Sequence, residues 1–148
     1  TVFAVGRGTE IEVLRRSDFP HSLGSFYSAV TQFLGFRPDL DEWKVMGAAA
    51  HGDPTRYLPV MRELARDAGD GEFVLDLSFF DHFNFDTASL LHPRAYTLLG
   101  PPRQRDEPME SRHFDIAAAI MAFPSFGYSP LESGLAASFR GLAGMRVG

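Results

Sequence analysis

FPHSLGSFYSAVTQFLGFRPDLDEWKVMGAAAHG, residues 19–52, is the stretch from which the rest of the chain can be placed. Ser22 has the hydroxyl of an N-cap, and Phe26, Val30, Phe33 and Leu34 recur after it at helical spacing, with Ser25, Ser28 and Gln32 off that face. Gly35 closes the run. Phe36-Arg37-Pro38 cannot extend it, because the residue before a proline avoids the helical region. The pattern predicts a short helix with both ends written in sequence. Asp41 reads as the cap of a second short segment, in which Glu42, Trp43, Lys44, Val45 and Met46 precede a flexible Gly47.

Working outward, residues 1–4 and 11–14 are short β-branched runs around Gly6-Arg7-Gly8-Thr9-Glu10, the pattern of two antiparallel strands joined by a glycine turn. Such a hairpin is marginal alone and needs something to pack on. Downstream, Asp53-Pro54 signals a helix start, with Leu58, Met61, Leu64 and Ala65 as its buried stripe and residues 67–71 as its close. Residues 72–80 alternate through Phe73, Leu75 and Leu77 like a strand with one wet face, and Phe79-Phe80 at its end suggest burial on both sides. Phe83 and Phe85 are expected to pin an irregular segment over 81–89. Gly100-Pro101-Pro102-Arg103 is the sharpest punctuation in the chain, and the charged residues 105–110 after it read as solvated. A helix capped by Ser111 is predicted next, with Phe114, Ala117, Ala118 and Met121 inward and Pro124 as its stop; a weak helix over 131–142 follows. The expected architecture is a mixed α/β piece, mainly helical, with the hairpin and the 73–80 strand against two or three helices.

The chain has 148 residues, enough for one domain with a real core. Its net charge of -5 gives no electrostatic reason to expect nucleic acid or an anionic membrane as partner. The absence of cysteine excludes disulfides and thiolate metal sites. No apolar run approaches the roughly 20 residues that cross a bilayer, and the start is too poor in apolar residues, and too soon followed by Arg7 and Glu10, for a signal peptide. A soluble, cytoplasmic protein is the expectation. The chain opens without methionine on a strand-like run and closes on Gly-Leu-Ala-Gly-Met-Arg-Val-Gly, and an excised piece of a larger protein would explain both ends.

Several residues carry candidate chemistry. Gly6, Gly8 and Thr9 form a turn whose amides could face a phosphate or carboxylate, although it is neither a dinucleotide fingerprint nor a P-loop and a plain hairpin turn is the commoner outcome. The five histidines show no one-turn pair, so a complete metal site within the chain is not expected. His21 and His51 flank the dense region and could reach a ligand phosphate or donate a proton near neutral pH. Lys44, set between Trp43 and Val45-Met46, would either snorkel to solvent or meet an anion, while Glu42 could satisfy it or bond a sugar hydroxyl. Trp43 reads as core. No serine has nucleophile-elbow glycines.

The string itself resembles the O-carbamoyltransferase family, which includes nodulation-type and antibiotic-tailoring carbamoyltransferases. The resemblance rests on Ser22, Leu23, Gly24, Phe26 and Tyr27, then Thr31, Leu34, Gly35 and Phe36, then a Glu-x-Lys-x-Met-Gly box at Glu42, Lys44, Met46 and Gly47. His51-Gly52 stands at the exit where the family usually has tyrosine-glycine. Phe79-Phe80, Gly100-Pro101-Pro102-Arg103-Gln104 and Arg112-His113-Phe114-Asp115-Ile116-Ala117-Ala118 follow in the family's order. The resemblance covers about residues 1–121, with 122–148 as an atypical tail, and marks the chain as a fragment of the N-terminal domain.

The resemblance implies part of an actin-like ATPase-type domain, related to that of tRNA threonylcarbamoyl transferases. It implies a biosynthetic reaction in which carbamoyl phosphate and ATP form a carbamoyl adenylate in a second domain. The carbamoyl group then passes to a hydroxyl of a sugar or small-molecule acceptor at an iron-bearing site, with the remainder of the carbamoyltransferase chain as partner. Gly6, Gly8, Thr9, Glu42, Lys44, Gly47 and His51 are the candidate nucleotide- or acceptor-binding residues, and no metal ligand is assigned. The family's metal-holding histidines would lie upstream of Thr1, Val5-Gly6 replaces the usual Asp-Gly, and Met121 leads quickly to Pro124 where a long helix usually continues. The isolated chain is expected to be inactive. A truncated homologue acting as a non-catalytic binding or structural module is the alternative. In either case an apolar patch left by missing neighbours would favour homo-oligomers.

Overall fold

The computed structural model describes residues 2–69 and 72–127. Within them the chain is mixed α/β and mainly helical. Strands β1 (Val2–Arg7) and β2 (Glu10–Arg16) form one antiparallel pair, and β3 (Ala65–Gly69) and β4 (Glu72–Leu75) form another. The helices are α1 (Leu23–Phe33), α2 (Glu42–Ala49), α3 (Leu58–Leu64), α4 (Tyr96–Leu99) and α5 (Ser111–Gly127). The predicted helix over 131–142 lies outside the described residues.

Helix α1 is the one the sequence announces. Ser22 Oγ accepts from the Ser25 amide. At the other end Gly35, at φ 78°, lets its own N–H reach the Gln32 carbonyl while the Phe36 N–H reaches that of Thr31, the paired bonds of a Schellman ending. Phe26, Val30, Phe33 and Leu34 are all buried. Phe26 meets Phe80 and Phe123 edge-on, each at 5.5 Å between centroids. Around this face the core collects Val45 and Ala48 of α2, Met61 and Leu64 of α3, Leu75, Leu91 and the middle of α5. The five residues 116–120 are buried without a break, so α5 is covered on all sides over that stretch. It packs against α2, α3 and the 3-10 turn Pro54–Arg56.

Several expectations are corrected. Gly6 and Arg7 belong to β1, so the turn is only Gly8-Thr9, with Gly8 at φ 62°. Among the described residues the apolar side of the hairpin is left open: Ala4 opposes Val13 and Gly6 opposes Ile11 on one face, and Ile11 is 78 % and Val13 55 % exposed. Its other face is charged, with Arg7 Nε 3.6 Å from Glu12 Oε2. The helix expected after Asp53 is split. Asp53 Oδ1 accepts from the Thr55 amide and holds the Pro54–Arg56 turn, α3 follows, and Ala65 already pairs with Leu75 in β3–β4. Helical spacing at Leu64-Ala65 concealed a strand.

The predicted 72–80 strand stops at Leu75, because Asp76 Oδ1 accepts from the Ser78 amide and winds Leu77–Phe79 into a 3-10 turn. Phe79 and Phe80 are both buried as expected, although Phe80 keeps only a bridge to Leu91. In the irregular segment Phe83 packs on the core and Phe85 is exposed. Ser111 is the first residue of α5, not its cap. Glu110 holds that position, its carbonyl accepting from the amides of His113 and Phe114. Of the residues predicted inward, Ala117 and Ala118 are buried, Phe114 is half-buried against the core and Met121 is exposed, while Ile116, Ala119 and Ile120 complete the buried stretch. The helix passes through Pro124, whose fixed φ suits a helix and which removes one ladder bond near its end.

Candidate functional site

The Glu42–Gly47 box begins α2, and its first side chains are tied to the turn that precedes it. Asp39 sits at φ 64° and donates its amide to Glu42 Oε1 at 2.6 Å; Ser28 Oγ on α1 donates to the same oxygen at 3.2 Å. Glu42 therefore braces the α1–α2 corner. Tyr27 adds to it from α1, its hydroxyl 3.5 Å from the Glu42 carbonyl oxygen and 3.2 Å from Met121 Sδ on α5. Burial first, and then the Glu42 charge, raises the Tyr27 hydroxyl above its ordinary pKa.

Asp41 occupies the cap position of α2 without capping it through its side chain. Its carboxylate is turned inward, leaving the residue 6 % exposed. Oδ2 accepts the Arg37 amide at 3.0 Å, and Oδ1 lies 2.9 Å from Lys44 Nζ. The Lys44 hydrogen bond and then the Arg37 amide hold this carboxyl down at about 2. The Lys44 ammonium also lies 5.8 Å from the Phe36 ring centroid and 5.4 Å from that of Trp43. Trp43 itself is 65 % exposed, so the expectation that it belongs to the core is corrected. It shares an outward stripe with Met46, which is also exposed, while Val45 and Ala48 point inward.

Lys44, Gly47 and His51 are spaced three and seven residues apart and so follow successive turns along one side of α2 and its exit. Gly47 is exposed and a Cβ there would meet nothing within 4 Å. His51 is exposed, with Phe114 edge-on at 6.0 Å. Gly6, Gly8 and Thr9 are carried by a different element, the exposed hairpin. The predicted set is thus divided between the hairpin and α2, and within α2 Glu42 faces the corner while Lys44, Gly47 and His51 line the side.

Three further positions explain motifs that sequence reading left without a task. Gly52 lets the exit of α2 lie directly on the backbone of α5: a Cβ on it would stand 2.6 Å from the Asp115 amide nitrogen and overlap the Phe114 carbonyl. Arg103 is a clasp on the end of α1. Its amide donates to the Phe33 carbonyl at 3.0 Å and its Nη1 to the Leu34 carbonyl at 2.7 Å, with the guanidinium 5.3 Å from the Phe36 ring. His113 closes the start of α5, accepting the Glu110 amide on Nδ1 at 2.9 Å, as Glu or Gln does in a capping box. That bond assigns its proton to Nε2, which is buried and has no hydrogen-bond partner among the described residues. Burial, and then the neighbouring Arg112, lowers its pKa and keeps the ring neutral. The signal for these roles was the proline-rich punctuation and the Arg-His pair, which say where a chain turns but not what it turns against.

The other histidines serve the fold. His21 Nδ1 accepts the Leu75 amide at 3.2 Å, which links the entry of α1 to β4. His82 Nε2 lies 2.8 Å from the Pro20 carbonyl oxygen, and His92 Nδ1 accepts the Arg94 amide. Among the described residues no three His, Asp or Glu side chains come together in a way that could hold a metal ion. No described helix is long and apolar enough to cross a membrane.

The profile described as "Carbamoyltransferase N-terminus" matches residues 1–125. An uncharacterized protein of Synechocystis is 35 % identical over 117 residues, which are 78 % of this chain and 18 % of that protein. Nodulation protein NolO of Bradyrhizobium diazoefficiens is 46 % identical over 119 residues, 80 % of this chain and 19 % of that protein. Nodulation protein NolNO of Sinorhizobium fredii is 43 % identical over 76 residues, 51 % of this chain and 11 % of that protein. The chain therefore spans less than a fifth of the length of these curated relatives.

Proposed function

We propose that this chain, which belongs to the carbamoyltransferase N-terminus family, is the part of an O-carbamoyltransferase that helps to seat a nucleotide or the hydroxyl acceptor. The observation that carries the reading is the family match together with the position of its Glu-x-Lys-x-Met-Gly box. The box folds into an exposed helix side, with a fixed ammonium at Lys44 and a bare backbone at Gly47. The whole reaction moves a carbamoyl group from carbamoyl phosphate, through a carbamoyl adenylate, to a hydroxyl of a sugar or other small molecule, in the cytoplasm and with ATP consumed. In it Lys44 would offer positive charge to a phosphoryl or carbonyl oxygen, and Gly47 would let that group approach the helix. Iron is assigned no ligands here, because the described side chains do not converge on a metal site.

The same reading makes the chain a portion of an actin-like domain. Its support is the hairpin, whose apolar face is built like the inner side of a larger sheet and is open to solvent. A second reading, a truncated homologue with a structural or binding role, is favoured by one observation: the Glu42 carboxylate and the Lys44 ammonium both have partners within the corner itself. Carbamoyl transfer from carbamoyl phosphate, measured with the full-length protein, separates the two. Loss of transfer on Lys44→Met in a folded protein supports the catalytic reading, and unchanged transfer overturns the part given to Lys44. The isolated 148 residues are expected to show no transfer, and activity there would overturn the need for a larger chain.

A further inference from the structure

We propose that Asp41 is a positioning residue: it fixes the Lys44 ammonium at the open side of α2 so that the remaining N–H donors meet an anionic or carbonyl oxygen of a bound ligand. The inference rests on the reading that Lys44 faces a ligand and assigns to Asp41 a task that its place in sequence does not suggest.

At a helix start an aspartate ordinarily caps the free amides of the first turn. Here the carboxylate makes no such bond and is 6 % exposed. Its two oxygens are divided between neighbours. Oδ2 is held by the Arg37 amide at 3.0 Å, with Arg37 Nε at 3.5 Å, and Oδ1 faces Lys44 Nζ at 2.9 Å. A carboxylate fixed by backbone on one side is a rigid acceptor on the other. The ammonium it holds is also near two aromatic rings, Phe36 and Trp43.

A free surface lysine samples many rotamers and loses that freedom when it binds. One already confined by a buried carboxylate and two rings has lost it on folding, so a ligand recruits it at lower entropic cost. The arrangement is not sealed: the Lys44 side chain is 37 % exposed, and an ammonium has three donors, of which Asp41 takes one. Were the pair needed only to neutralise Asp41, closure over the ammonium would serve better than an open side beside a bare glycine at 47. The anion could be a phosphate of a nucleotide or of carbamoyl phosphate, and the chemistry of recognition is the same for both.

The test uses the full-length protein with ATP and, separately, carbamoyl phosphate as calorimetric probes. Asp41→Asn keeps the shape and removes the charge; it is compared with Lys44→Met. Both are expected to weaken one of the two probes by about tenfold, the scale of one charge-assisted hydrogen bond. If Lys44→Met leaves both affinities unchanged, the use of Lys44 in the proposed function fails and this inference falls with it. If Lys44→Met weakens binding while Asp41→Asn lowers only the melting temperature, Asp41 is structural and the inference alone is overturned. Should Asp41→Asn fail to fold, 13C-methylation of lysines in the wild-type protein decides. A Lys44 signal shifted by the two rings and displaced on adding the probe is expected; a signal at the free-lysine position, indifferent to probe, would overturn it.

Discussion

Gly52 and Phe114 meet backbone to backbone, with no room between them for a side chain. The contact joins the exit of α2 to the first turns of α5, and the Asp53 amide fastens it by donating to Asp115 Oδ1 at 2.9 Å. Gly52, the glycine at the exit that follows the family's box, is therefore a packing requirement. The glycine within the box is free of any such constraint.

That contrast predicts opposite outcomes for two alanine substitutions. Gly52→Ala forces two backbones apart and is expected to cost about 2–4 kcal/mol. Gly47→Ala adds a methyl to open space on a helix and is expected to gain about 0.5–1 kcal/mol. Urea unfolding midpoints of the two variants check this directly. A Gly47→Ala protein that is more stable yet binds ATP or carbamoyl phosphate less tightly would place a ligand against that backbone.

Arg103→Met keeps the length of the side chain and removes its donors to the Leu34, Glu107 and Arg105 carbonyls. The end of α1 loses its clasp, and a loss of about 2–3 kcal/mol is expected. Hydrogen exchange should show the amides of Gly35 and Phe36 opening first.

Acid should act on Asp41. Its folded carboxyl lies at about 2, below the ordinary 3.8, so the stabilisation it provides is complete above pH 3.8 and is lost as pH falls toward 2. Asp41→Asn should flatten the acid limb of stability against pH in that window. An unchanged limb would mean that the pair with Lys44 contributes nothing in solution.

His113 acts higher on the scale. Its folded pKa is lowered from 6.5, so the unfolded chain takes the proton first and stability falls as pH drops below 6.5 toward the folded value. His113→Gln preserves an acceptor for the Glu110 amide and should remove this slope at little cost at pH 7, whereas His113→Phe should also lose the cap, about 1 kcal/mol. Melting temperatures at pH 7 and pH 5 distinguish the two.

The hairpin tests the proposed larger fold. Ile11→Lys and Val13→Lys change side chains that face solvent in this chain, so here they should leave stability unchanged within about 0.5 kcal/mol. In the full-length protein the same changes should be strongly destabilising if a sheet continues over that face. Equal tolerance in both would remove the support for that continuation.

What the sequence made legible follows from how local each signal is. Ser22 and Gly35 bracket α1 because a cap and a left-handed glycine act within their own turn, and both ends were readable. The strand at Ala65 was not, since a residue at helical spacing from Met61 is also free to pair with Leu75, and only the pairing decides. Asp76 and Ser78 did carry the stop of β4, in a spacing that the alternating Phe73, Leu75 and Leu77 overshadowed. Trp43 misled because size suggests burial, whereas α2 is too short to bury more than Val45 and Ala48. Within the candidate site the residue types were legible and their partners were not. The i,i+3 spacing of Asp41 and Lys44 allows a pair but does not say that the carboxylate leaves the first-turn amides for it, and nothing local says that Gly52 lies against a helix sixty residues on.

The last turn of α1 also has a kinetic consequence. Gln32 donates to the Ala88 carbonyl and accepts the Leu90 amide, across 56 and 58 residues, and Arg103 reaches Leu34 across 69. They anchor residues 88–90 and Arg103 to the end of the helix, so the chain must close long loops before they contribute. Doubling such a loop adds only about 0.6 kcal/mol to its closure, whereas remote contacts of this kind slow the search for the native state. The intervening residues should accordingly tolerate insertions at exposed turns such as 84–86 with little change in stability. Substitutions at Gln32 or Arg103 should retard refolding if those anchors are already engaged at the barrier, and accelerate unfolding if they form after it.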